Sequence, residues 1–174
     1  MQEEIVNKVS QSALVTLDLE SFFPTDEIQI FDLKPFLFME LILKEKDFRA
    51  ALSATDWSIF SKKIVGVYCS ADAVIPVWAY MLVTSYLQPF AKDVILGDEA
   101  AVIRQILTKR IQAVDPNEYK DQRIVIKGCG DKAIGDFAYL EITKLLRPVA
   151  KSIMYGEPCS TVPVFKAPSP KPKA

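Results

Sequence analysis

Short apolar runs and longer helical periods alternate through the middle of the chain. Residues 64–69 (IVGVYC) and 123–129 (RIVIKGC) are β-rich runs that end at a cysteine. A polar or glycine-containing loop follows each, then an apolar stretch with helical spacing over residues 77–87 and 137–146. Pro89 and Pro148 stop these helices, because proline lacks the amide donor and clashes with the preceding turn. A second short apolar run, DVILGD or SIMYGE, closes each unit with glycine and an acid. A strand that returns through a helix lies parallel to the first by a right-handed crossover, so each unit reads as βαβ.

The two units read as an internal repeat, residues 64–98 and 124–157. A single-residue gap in the loop after the cysteine aligns Cys69 with Cys129 and Asp72 with Asp131. It also aligns Tyr80 with Tyr139, Thr84 with Thr143, Pro89 with Pro148, Lys92 with Lys151 and Gly97 with Gly156. Matching Tyr, Thr, Pro, Lys and Gly goes beyond what two generic apolar patterns need. The helices differ. Residues 77–87 are apolar nearly all round, whereas 137–146 carry Glu141 and Lys144 on a face for water. An all-round apolar helix needs cover on more than one side, from the N-terminal segment or a second subunit.

Between the units, EAAVIRQILTKRIQAV puts Val102, Ile103, Ile106, Leu107 and Ile111 on one helical face. The central chain therefore alternates strand and helix. The expected fold is α/β: a largely parallel sheet with helices on its faces, the internal βαβ repeat, and an N-terminal β-rich extension over residues 1–60. Within that extension, residues 5–9 suggest a short helix. Residues 13–19 and 27–33 alternate like strands around Phe23-Pro24-Thr25-Asp26, which predicts a hairpin. Residues 44–54 read as a helix, and 36–43 fit either strand or helix. One α/β domain over 1–166 is expected, with a disordered proline-rich tail over 167–174.

Composition narrows the function more than it names it. Lys plus Arg total 21 and Asp plus Glu 22, so no basic excess points to nucleic acid. Histidine is absent, which removes Ser-His-Asp and Cys-His catalysis and histidine metal sites. The uncharged stretch over 73–91 holds only about a dozen helical residues between its prolines, roughly 18 Å, too short to cross a bilayer. No secretory leader pattern opens the chain, and three cysteines make no even framework, so a reducing cytoplasm is expected.

Ligands on a parallel sheet sit at the carboxyl ends of its strands. In this chain those ends carry Cys69, Asp98, Cys129, Glu157 and Cys159. Three thiols on one rim would hold zinc or an iron–sulfur cluster, with Asp72, Asp131, Asp98 or Glu157 as a further ligand. The competing reading makes the cysteines small core residues, since free cysteine is among the most buried types and no CxxC pair exists. A third reading makes Cys159, in the polar loop GEPCST, a reactive thiol with an acid as base. There is no GxGxxG and no GxxxxGK[ST], so those nucleotide sites are unsupported.

The segments EEIVNKV, VTLDLESFFP, LILKEKDFRAAL, YCSADAVIPVWAYM and above all VAKSIMYGEPCSTVPVFK resemble a family of uncharacterised bacterial proteins, domain of unknown function 2480. The likeness spans nearly the whole chain except the tail. It carries over no catalytic residue. It implies company with iron–sulfur assembly systems, which favours the cluster but names no ligand. Two functions are thus expected: a cytoplasmic accessory protein with a three-cysteine metal or cluster site, or a non-enzymatic binding or scaffolding module. The second would be a homodimer with a possible protein partner and structural cysteines.

Overall fold

A computed structural model describes residues 14–128 and 130–168. The chain divides into two compact units. The continuous unit is Pro24–Gln105, and the split unit combines Met1–Phe23 with Ile106–Ala174. The sheets are largely parallel and helices alternate with strands, which makes the protein α/β as expected.

The continuous unit holds a three-stranded sheet in the order β2(Ile28–Asp32), β5(Ile64–Tyr68), β6(Asp93–Leu96), parallel throughout. Helix α2(Val77–Leu87) makes the crossover from β5 to β6, and α1(Glu45–Ala54) precedes β5. The ambiguous residues 36–43 form the end of a 3-10 turn and a small antiparallel pair, β3(Leu37–Phe38) and β4(Ile42–Leu43). The core is aromatic. Phe31 stacks on Trp57 at 5.3 Å between ring centroids, and Trp57 on Tyr86 at 5.1 Å. Phe48, Leu52, Val83 and Leu87 fill the rest.

The split unit holds a four-stranded sheet in the order β1(Leu14–Asp18), β7(Arg123–Lys127), β8(Ser152–Glu157), β9(Ser160–Lys166). The first three strands are parallel, with α4(Asp136–Leu146) crossing from β7 to β8. Strand β9 turns back antiparallel through a two-residue hairpin at Pro158 and Cys159. The core is aliphatic, built on Leu17, Leu19, Ile111, Ile124, Ile142, Leu146 and Ile153. Helix α3(Glu99–Gln112) carries the chain from one unit to the other, and Val102, Ile106, Leu107 and Ile111 on its apolar face are buried.

Two expectations are corrected. Residues 13–19 and 27–33 form no hairpin: β1 pairs with β7 and β2 with β5, in different sheets. The Pro24 turn signal is real, but it marks the passage between units rather than a strand reversal. The strand ends accordingly line the edges of two sheets, not one. The suggested helix at 5–9 lies outside the described residues, as does most of the tail. No helix among the described residues is long and apolar enough to cross a membrane.

The βαβ repeat is present, but its alignment differs from the expectation. Ile64 corresponds to Arg123, Tyr68 to Lys127, Val77 to Asp136 and Asp93 to Ser152, without a gap. Strand register therefore places Gly128 at the position of Cys69. The repeat also reaches further back. Leu14–Asp18 and Ile28–Asp32 are matching first strands, each followed by a 3-10 turn with the pattern Asp-Leu-x-x-Phe.

Candidate functional site

The carboxyl ends of β1, β7 and β8 bring Asp18, Lys127 and Glu157 side by side. Parallel pairing sets Asp18 opposite Lys127, and Lys127 Nζ lies 3.2 Å from Asp18 and 3.9 Å from Glu157. The hydrogen bond to Asp18 raises the Lys127 pKa above its ordinary value, reinforced by the charges of Asp18, Glu157 and Glu20 against a small opposing effect of burial. Glu20 accepts the Gly130 N–H, and a Cβ on Gly130 would collide with that carboxylate. Together with Gly128 these residues line a small polar crevice of about 150 Å³.

The continuous unit uses the same positions differently. Asp32 corresponds to Asp18, but the residue opposite it is Tyr68. Asp32 instead accepts hydrogen bonds from the Ser70 N–H at 3.0 Å, the Ser70 hydroxyl at 2.5 Å and the Lys34 N–H at 2.9 Å. Burial acts to raise the Asp32 pKa, but the hydrogen bonds from Ser70 and Lys34 and the Lys34 charge outweigh it, so the carboxyl titrates below its ordinary range. Asp98, the counterpart of Glu157, caps α3 by accepting the Ala101 N–H at 2.9 Å. Gly97 and Gly156 stand at matching strand exits and both need positive φ, 137° and 118°. One opens into a helix and the other into a hairpin.

The expected thiol site falls as follows. Cys69 is half-buried at the end of β5 and packs on the aromatic core. It adjoins Tyr80, whose pKa is raised chiefly by burial and then by Cys69. Cys159 is exposed at the tip of the β8–β9 hairpin in the other unit. Cys129 lies outside the described residues. Asp72 and Asp131 are exposed loop residues. Among the described residues, no group of three or more Cys, Asp or Glu is placed to hold a metal ion.

Each unit also holds a larger groove in an equivalent place, between the crossover helix and the last parallel strand. In the continuous unit, Val67, Val77, Tyr80, Met81, Thr84, Ser85, Val94, Ile95 and Leu96 line about 680 Å³. In the split unit, Ile126, Asp136, Tyr139, Leu140, Thr143, Lys144, Ile153, Met154 and Tyr155 line about 600 Å³. These residues correspond one to one, whereas Gln88 also lines the first groove and its counterpart Arg147 does not line the second. Val164 of β9 joins the second lining, because β9 covers the outer edge of β8. Among the described residues, β6 pairs only with β5. Its groove is left with Val77, Met81 and Leu96 exposed to 74%, 67% and 68%.

Sequence reasoning missed Asp18, Glu20, Lys127 and Asp32. The repeated Asp-Leu-x-x-Phe in 18–22 and 32–36 was the signal that marks the two acids as a matched pair. No curated protein matches the chain, and no solved structure does. A family model described as a protein of unknown function, DUF2480, matches residues 3–167, and the chain belongs to that family.

Proposed function

We propose that the protein is a non-catalytic binding or scaffolding module that takes an extended apolar protein segment as an added antiparallel strand on β6. The observation that carries this reading is the contrast between equivalent edges. On β8 the edge is closed by β9, which puts Phe165 opposite Ile153 and Val162 opposite Tyr155. On β6 no described strand pairs along the same edge, which lies beside an apolar groove. Strand addition supplies main-chain hydrogen bonds for affinity and alternate side-chain pockets for selectivity. The free thiols Cys69 and Cys159 support a reducing, cytoplasmic setting.

The test is a titration of isotope-labelled chain with an unlabelled peptide of the β9 sequence, residues 160–166. Amide shifts confined to residues 94–96 and the exposed flank of α2, abolished by Leu96→Lys, are expected. No shift there at millimolar peptide, in a sample shown to be monomeric, overturns the reading.

A further inference from the structure

Resting on that strand-addition reading, we infer that the segment received by β6 is the β6 of a second copy of this chain. An antiparallel β6–β6 seam about a twofold axis normal to the sheet would join two three-stranded sheets into one of six strands. Such a pairing is self-complementary, as an isologous interface must be.

Charge supports the second copy. Helix α2, VWAYMLVTSYL, has no charged residue at all. Its exposed flank, with Val77, Met81 and Ser85, is where α4 presents Asp136, Leu140 and Lys144. The charged flank thus accompanies the closed edge, and the neutral flank the open one. A neutral apolar flank meets its own copy without repulsion, whereas it offers nothing to select a charged partner. In β6 the only charge is Asp93. With the axis at Ile95, each Val94 faces the other copy's Leu96 and each Asp93 faces its Gly97, so no like charges are opposed.

Geometry supports it as well. An axis normal to the sheet keeps both copies of α2 on the same face, next to the seam. Val94 and Leu96 alternate onto that face with Met81 and Val77, so strand pairing and helix contact would bury one patch. The chain does not close this edge from its own continuation, because after Gly97 it enters α3 capped by Asp98. The outer strand of the split unit is unsuited to the same role. Pro163 interrupts β9, a device that blunts an edge.

The experiment is sedimentation velocity on the full chain across the micromolar range, beside Leu96→Lys, Met81→Lys and the matching control Leu140→Lys. All three positions are exposed, so the fold tolerates lysine. A wild-type dimer, weakened about tenfold or more by either of the first two substitutions and unchanged by the control, is expected. A wild-type monomer at every concentration overturns the second copy. So does a dimer that survives both substitutions, or one that Leu140→Lys dissociates. The peptide titration separates the two readings. A monomer whose β6 still binds the peptide keeps strand addition and loses only the second copy, and a monomer that ignores the peptide loses both.

Discussion

The two units share a βαβ frame and a leading strand with an Asp-Leu-x-x-Phe turn, yet finish it in opposite ways. The split unit closes its outer edge with β9. Phe165 packs on its core, and the Arg147 guanidinium stacks over that ring at 4.3 Å. The continuous unit has Gln88 at the position of Arg147, and no described strand pairs along its outer edge. The split unit concentrates charge at its strand ends, where Lys127 sits between Asp18 and Glu157. In the continuous unit Tyr68 takes that lysine's place, and each acid accepts a nearby backbone N–H, Asp32 from Lys34 and Asp98 from Ala101. The same frame thus carries a closed edge with a lysine between two acids at its rim and an unpaired edge beside an uncharged helix flank.

Core substitutions should break the symmetry most strongly. Leu87 and Leu146 occupy matching positions, and both are fully buried. Leu87→Ala and Leu146→Ala should each cost about 3 kcal/mol, read from urea unfolding. One shared transition would couple the units. Two transitions, each variant moving one, would show them independent.

The strand-end acids sharpen the comparison along the pH axis. The Asp32 pKa is lowered in the fold, so its contribution is present above the unfolded value of about 3.9 and fades as pH falls through the acid range. Asp32→Asn should flatten that limb of the stability profile. The Lys127 pKa is raised, so its contribution is present below about 10.4 and fades as pH rises beyond it. Lys127→Met should flatten the alkaline limb instead. An unchanged slope in either variant would remove the assignment.

The smallest expected difference concerns the thiols. A thiol reagent should modify exposed Cys159 at once and half-buried Cys69 more slowly, with little change in stability from Cys159→Ser. Protein purified without oxygen should carry less than one iron or zinc per chain. A stoichiometric metal with protected thiols would return the three-cysteine site to first place.

The sequence made the local elements legible where a local cause existed. The periods of α2, α3 and α4, the proline stops and the crossover pattern are all set within a few turns of chain. What escaped were non-local choices. Residues 14–18 and 28–32 alternate alike, and nothing nearby says that one joins β7 and the other β5. The Asp18–Lys127 pair depends on that choice, so it was invisible until the register was known. The alignment of Ile64 with Ile124 failed for a related reason. Residue identity favoured a gap, while the pleat of β5 and β7 preserved the spacing.

The partition of the first two strands also orders events in time. Strands β2, β5 and β6 leave the ribosome as neighbours, so the continuous unit has all its sheet in hand by Gln105. Strand β1 is synthesised earlier but has no sheet to join until β7 has followed. Strand β1 is therefore placed after β7, and until then its apolar residues Leu14, Val15 and Leu17 are exposed to nascent-chain chaperones.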